Sequence, residues 1–403
     1  MNRVRPVLLS AYTMTSCLGR GLEPTRTALA ASRSGLAPCR FETAELDTFI
    51  GEIAGADDQA MPAGLERFDC RNNRVAGIGF AQDGFAPAVE AAALRHGRER
   101  VGVFLGTSTA GILQAELAYR RRDPTDGSLP ADFDYRHTQN TFSVAEFTRA
   151  RFGLQGPCSA ISTACSSSAK AFASAARFIA AGVIDAAVVG GVDTLCLTTL
   201  YGFSSLELLS TQPCRPYDAA RDGISIGEAA AFFLLERTRD ASSQDDVWLL
   251  GAGESCDAYH MSSPHPQGLG ARIAMEGALA AAGLAPADID YVNLHGTATP
   301  INDASEDKAV HSLFGDRVPC NSTKGMTGHT LGAAGGVEAI IATLAITDGL
   351  VPGSPGTRTL DPELKARYEI AVQRRPIARV MSNSFGFGGT NCSLVFGRLP
   401  QAA

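Results

Sequence analysis

The chain has 403 residues, 45% hydrophobic and 19% charged, with a net charge of −7. It can bury a large core, which excludes wholesale disorder, and its acidic balance argues against nucleic acid as the main partner. The 10 cysteines form no CxxC pair and no Cys/His metal spacing, so neither a disulfide framework nor a metal site is expected, and a reducing cytosol is the expected compartment.

The basic start, Met1 to Arg5, is followed only by Val7-Leu8-Leu9 before polar residues, too short for a signal sequence. No run of ~18 uncharged apolar residues occurs, so no membrane-spanning helix is expected. Strands are predicted over 6–10, 100–106 and 186–192, with an Ala-rich helix over 169–181 stopped by Gly182. A short polar break spans 242–246. After it come a strand over 247–250, a helix over 271–282 stopped by Gly283, a turn at Pro286, and a strand over 291–294 that ends at His295. This alternation predicts an α/β protein with buried strands.

The two halves echo each other. Ile161-Ser162-Thr163 precedes the first helix, and Asn321-Ser322-Thr323 precedes the apolar run 335–342. Each unit is followed by a strand and a glycine pair, Gly190-Gly191 and Gly388-Gly389. A duplicated α/β unit is therefore expected, divided as 1–243 and 244–403.

Four segments could carry chemistry. In Thr163-Ala164-Cys165-Ser166-Ser167-Ser168, Cys165 opens a helix, where unsatisfied N–H groups and the helix dipole favour a thiolate. A buried structural cysteine is the alternative. His295-Gly296-Thr297-Ala298-Thr299 puts a histidine at a strand's C-terminal end, where α/β sheets build sites. Residues 323–336 hold Lys324, His329 and repeated glycines that permit close backbone approach, without the GxxxxGK phosphate loop. Asn383-Ser384-Phe385-Gly386-Phe387-Gly388-Gly389-Thr390-Asn391 offers a loop able to reorient Phe387; a tight turn with two core aromatics is the alternative.

Taken together and in this order, these residues resemble the β-ketoacyl-(acyl carrier protein) synthases, the decarboxylating condensing enzymes of fatty acid and polyketide synthesis. The resemblance runs over about residues 5–397 and includes Cys214-Arg215-Pro216-Tyr217-Asp218, Arg221-Asp222-Gly223, Gly227-Glu228-Ala229-Ala230 and Asn302-Asp303 with Glu306. It implies a duplicated thiolase-like α/β fold layered α-β-α-β-α.

It also implies roles. Cys165 would be the acylated nucleophile, with the backbone N–H groups of Cys165 and Phe387 as oxyanion hole. His295 and His329 would each donate an N–H to the enolate left when malonyl thioester loses CO₂, and Lys324 would order them. Asp303, Glu306 and Glu338 would form a supporting polar network. Thr297 and Thr299 would bind the phosphopantetheine arm, while Phe385, Phe387 and Thr109 would line or gate the acyl pocket. No cofactor is implied beyond that arm, which the acyl carrier protein brings.

Carrier proteins are acidic, so Arg67, Arg71 and Arg74, spaced for one helix face, and Arg120, Arg121 and Arg122 are candidate docking residues. A homodimer, or a heterodimer with a related ketosynthase or chain-length-factor subunit, is expected, because 188–195 is too apolar for an exposed strand edge. Ala298 stands where Gly or Ser is usual. Thr109 and His137-Thr138-Gln139-Asn140 are polar for a saturated-chain pocket, which suggests an unsaturated or aryl-capped chain. A chain-length factor would lack the nucleophile, and a coenzyme A thiolase would carry a second active cysteine near residue 388.

Overall fold

The computed structural model describes residues 5–237 and 243–399. Met1 to Val4 of the basic start and Ser242 of the polar break lie outside them. Among the described residues, one large sheet of 12 strands, two of them the short pieces Gly19–Arg20 and Arg367–Tyr368, has five principal strands in its first half: β1 (Val7–Ser16), β2 (Val101–Gly106), β3 (Cys158–Ile161), β4 (Ala186–Asp193) and β5 (Ala229–Glu236). Five more build the second: β6 (Trp248–Cys256), β7 (Tyr291–Asn293), β8 (Pro319–Asn321), β9 (Arg379–Gly386) and β10 (Thr390–Gly397).

Their spatial order is β3-β2-β4-β5-β1, continuing into β6-β10-β9-β7-β8. Directions repeat as well. β2 runs parallel to β3 and β4, and β5 antiparallel to β4 and β1. Likewise β7 runs parallel to β8 and β9, and β10 antiparallel to β9 and β6. One five-stranded plan thus occurs twice, and the copies meet where Val7 and Leu8 face Leu249 and Trp248. The glycine pairs are not equivalent: Gly190-Gly191 lies inside β4, whereas Gly388-Gly389 lies in the turn between β9 and β10.

Parallel strands need crossover helices, and these cover the sheet. α1 (Arg71–Phe80) packs outside β5 and β1, and α3 (Leu269–Ala282) outside β6 and β10. Between them lie α2 (Ser167–Ala180) and α5 (Ala334–Asp348), one from each half, packed on each other and on both halves of the sheet. α4 (Pro300–Phe314) lies beside α3. Separate apolar cores fill the gaps. Phe172 with Ile340 marks the central one, Phe80 with Phe232 and Met275 with Val395 the outer two. This is the layered α-β-α-β-α arrangement.

Close central packing needs small residues. α2 is Ala-rich on its buried face, and a Cβ on Gly335 would sit 2.7 Å from Ala169 N. α5 is buried on all sides down to Ile346. The segment Leu331–Asp348 is long and apolar enough to cross a membrane, yet 89% of it is buried in protein, as a core helix should be.

The strand edge differs from expectation. β4 is interior, flanked by β2 and β5, so its apolar run is satisfied within the chain. The edge beside the nucleophile's helix is β3, whose four residues are all half-buried.

Candidate active site

Each sequence-predicted segment ends a strand at the same rim of the sheet. β3 stops at Ile161, and the turn before α2 carries Cys165. Ala164 takes φ 51°, a left-handed conformation unusual for a residue with a Cβ, and it places Cys165 just ahead of the helix. The turn is fixed by Ser167 Oγ accepting from Thr163 N (2.9 Å) and by Thr390 Oγ1 donating to Thr163 O (3.1 Å).

The three reactive side chains converge. Cys165 Sγ, one nitrogen of His295 and one of His329 all lie within 4.8 Å of one another, and all three residues are buried. His329 Nε2 is 3.0 Å from Cys165 Sγ. The imidazoles meet edge to face, centroids 5.3 Å apart, and Phe385 borders His295 at 6.0 Å.

The surrounding bonds assign the ring protons. Leu331 N donates to His329 Nδ1 at 3.3 Å, so Nε2 carries the hydrogen. Lys324 Nζ lies 3.4 Å from His295 Nδ1 and also donates to His295 O and to Glu338. Its ammonium can only donate, so His295 Nε2 carries the hydrogen too. Burial, then the Lys324 charge, hold both histidines well below their ordinary value of 6.5, so both are neutral donors. A metal would need the lone pairs at these positions. The site presents N–H groups instead, which suits an anion.

The thiol departs from expectation. Burial pushes Cys165 up to about 11, outweighing the Lys324 charge and the hydrogen bond from Phe387 N–H that pull it down. Electropositive groups surround the sulfur as expected, but they do not ionise it ahead of reaction.

A cavity of about 360 Å³ opens above these groups, with Thr297 and Thr299 on its wall, their hydroxyls 2.9 Å apart. Phe387, 38% exposed, lies at its side with its ring against Phe203. Gly388 takes φ 82° directly after it, and its N–H donates to Met261 O at 2.7 Å. Ala298 also has a left-handed φ, 68°, a conformation that glycine adopts more readily than alanine.

The carboxylates are interior groups. Glu306 accepts from His295 N and Gly296 N, both at 2.8 Å, and so holds the turn that carries His295. Asp303 accepts from Tyr217 N at 2.9 Å. Burial raises Asp303 to about 6 and Glu306 and Glu338 to about 7, the last despite the Lys324 ammonium.

Other expectations need correction. Arg71 is no docking residue. It is 1% exposed, and its guanidinium bonds Glu228 at 2.6 and 2.9 Å. Arg67 lies in a separate turn, Glu66–Phe68, so Arg67, Arg71 and Arg74 do not share one helix face. Arg74 is held by Asp69, at 2.6 and 2.8 Å, whereas Arg67 is exposed and has no acidic partner among the described residues. Arg120, Arg121 and Arg122 are exposed; Arg120 and Arg121 reach Glu42 and Asp132, while Arg122 covers the Tyr119 ring.

Thr109 does not line the cavity; it is buried, and its hydroxyl donates to Asp193 at 2.9 Å. His137 pairs with Asp134 at 2.6 Å, and Thr138 donates to Asp134 O. Thr109, His137 and Thr138 thus spend their polar groups within the chain, which removes these three as grounds for inferring an unusual acyl chain. Cys392, the thiolase-like alternative, is fully buried in β10 away from the cavity. Sequence reasoning missed Asp193 and gave Glu228 no role. Each is an acid ending or opening an apolar strand, the one local signal of a buried hub.

Comparison with known proteins agrees with this geometry. Residues 5–241 match the N-terminal domain of beta-ketoacyl synthases and residues 248–358 their C-terminal domain. The 3-oxoacyl-(acyl-carrier-protein) synthase 2 of Vibrio cholerae is 34% identical across 98% of this chain and 99% of its own. That of Rhizobium meliloti is 42% identical over 74% of each chain. One chain of the solved complex of the ketosynthase ApeO with its chain length factor ApeC, from Xenorhabdus doucetiae, superposes with a TM-score of 0.88 at 38% identity, covering 98% of both chains. With a paired Cys–His–His site on a twice-repeated sheet and matches spanning both halves, the chain belongs to the beta-ketoacyl synthase family.

Proposed function

We propose that this protein is an elongating 3-oxoacyl-(acyl carrier protein) synthase. It joins an acyl group held on Cys165 to malonyl-(acyl carrier protein) by decarboxylative Claisen condensation. The observation that carries this is the convergence of Cys165 Sγ and two N–H-presenting imidazoles within 4.8 Å at one end of a cavity.

In the first half-reaction Cys165 sulfur attacks the acyl thioester. The oxyanion is met by the N–H groups of Cys165 and Phe387, the carrier thiol departs, and it takes up the Cys165 proton. In the second, the malonyl carboxyl leaves as CO₂ and its bonding pair becomes an enolate. The enolate oxygen accepts from His295 Nε2 and His329 Nε2, and Lys324 keeps His295 in the donating tautomer. The enolate carbon then attacks the Cys165 thioester, a C–C bond forms, the C–S bond breaks, and the Cys165 sulfur leaves as a thiolate that takes up a proton from solvent. Thr297 and Thr299 hold the phosphopantetheine arm. No other cofactor is required.

Arg67 and Arg122, exposed and without an acidic partner among the described residues, offer positive charge for an acidic carrier protein, and Arg120 and Arg121 would exchange Glu42 and Asp132 for it. The free edge of β3 offers the surface for a second subunit, a copy of this chain or a related chain-length factor. The solved complex of a ketosynthase with its chain length factor, one chain of which is 38% identical to this one, supports such pairing. Ten unpaired cysteines fit a reducing cytosol.

The test is intact-mass analysis with acyl carriers, followed by product analysis with malonyl carrier. Cys165→Ala should abolish loading and condensation with the fold retained. His295→Ala and His329→Ala should block decarboxylation more than loading. Condensation at a comparable rate by Cys165→Ala would overturn the assignment, and loss of loading with decarboxylation intact would reverse the histidine roles.

A further inference from the structure

One buried acid at this rim has no place in the chemistry above. Asp193 ends β4 and is fully buried. It has no basic partner among the described residues; its partners are neutral donors drawn from two separate segments. Oδ1 accepts from Thr107 Oγ1 (2.7 Å), Ser108 N (2.8 Å), Thr109 N (2.9 Å) and Thr109 Oγ1 (2.9 Å). Oδ2 accepts from Ser108 N (3.0 Å), Ser108 Oγ and Gly332 N. Ser108 Oγ also lies 3.0 Å from Gly332 N.

Gly332 belongs to the turn Leu331–Ala333, immediately after the residue whose N–H donates to His329 Nδ1. That residue, Leu331, sits at φ 50°, so the turn is held against its own backbone preference. The sequence also keeps room for the contact. A Cβ on Gly332 would sit 2.8 Å from Asp193 Oδ2 and 2.9 Å from Ser108 N and Oγ. The carboxylate therefore pins the turn that aims the donor at His329, and ties it to the loop that follows β2.

We propose that Asp193 is a positioning residue for decarboxylation: by anchoring Gly332 it keeps Leu331 N–H on His329 Nδ1, and so keeps the His329 Nε2 hydrogen directed at the reacting oxygen. This rests on the role given to His329 above. Asp193 touches no substrate. Its charge also opposes ionisation of Cys165, so its removal has a second, electrostatic readout.

The experiment uses the full protein with Asp193→Asn, His329→Ala and the double variant. Malonyl-carrier decarboxylation and the pH dependence of Cys165 alkylation by iodoacetamide are measured on each. A displaced donor costs on the order of 100-fold. Asp193→Asn should therefore lose about 100-fold in decarboxylation kcat with KM little changed. Its alkylation profile should move to lower pH. In the His329→Ala background the same exchange should cost less than about threefold, because the residue acts through His329. Gly332→Ala, which keeps the acid but forces the turn away, should repeat the kcat loss, and it decides the matter should the asparagine variant not fold. Decarboxylation within threefold of the native protein in a folded Asp193→Asn or Gly332→Ala variant overturns the proposal, as does an undiminished loss in the His329→Ala background. Normal decarboxylation by His329→Ala alone would instead overturn the histidine assignment.

Discussion

Replacing Lys324 by methionine separates what its charge does for folding from what it does for chemistry. The side chain is buried, donates to Glu338 and His295 O, and lies 3.4 Å from His295 Nδ1. Methionine keeps much of the stem's volume and removes every donor. Glu338 then loses its cation, and breaking a buried pair costs about 3–5 kcal/mol. The loss is capped near neutrality, because burial already holds Glu338 at about 7 and its protonation removes the stranded charge. His295 Nδ1 loses the group that kept it unprotonated, so the Nε2 hydrogen is no longer fixed. One misplaced oxyanion donor lowers rate by about 100- to 1,000-fold. Malonyl-carrier decarboxylation in single turnover, with urea unfolding alongside, measures both. Lys324→Met/Glu338→Gln should recover most of the stability and none of the rate, since removing both partners of a buried pair is far milder than removing one. A folded Lys324→Met protein that decarboxylates within threefold of the native one would refute the tautomer argument.

What the sequence showed and what it hid divide along a physical line. Cys165, His295, Lys324, His329 and Phe387 were readable because each sits in a short run of small residues and glycines at a strand or helix boundary, where local chemistry leaves a local trace. The repeated unit was readable for the same reason, from matching boundaries, although the glycine pairs that seemed to mark it occupy a strand interior in one half and a turn in the other. Arg71 was misread because its spacing resembles that of a surface helix, while its partner Glu228 is 157 residues away. Thr109 was misread likewise: polarity in a sequence does not say whether a hydroxyl faces a cavity or an acid such as Asp193. Strands buried on both faces show no alternation, so nothing local told interior β4 from edge β3. The thiol's state was hidden too, because the helix start that favours ionisation is local and the burial that opposes it is not.

Arg71→Ala should cost about 3–5 kcal/mol in urea unfolding by stranding Glu228, and leave the carrier KM unchanged; a raised KM with native stability would return Arg71 to the docking surface. Gly388→Ala meets nothing within 4 Å, so its effect is confined to the backbone at φ 82°. It should cost about 1–2 kcal/mol and slow acyl loading of Cys165, and native loading would show that the Phe387 turn is not limiting. Glu306→Gln should change how stability follows pH. Burial raises this carboxyl from 4.5 to about 7. The folded protein thus holds the proton more firmly than the unfolded chain does. The contribution to stability is full below about pH 4.5 and is lost as pH rises through 7, to the extent of about 3 kcal/mol. Asp303 and Glu338, raised to about 6 and about 7, act in the same sense. The glutamine variant cannot titrate at this position. Whatever it loses at low pH through poorer acceptance from His295 N and Gly296 N, it should regain about 3 kcal/mol relative to the native protein by about pH 8. Urea unfolding of both proteins across that range measures the difference. A gap independent of pH would mean that Glu306 ionises normally in the folded state, and that the turn carrying His295 is held by an acid with no desolvation cost.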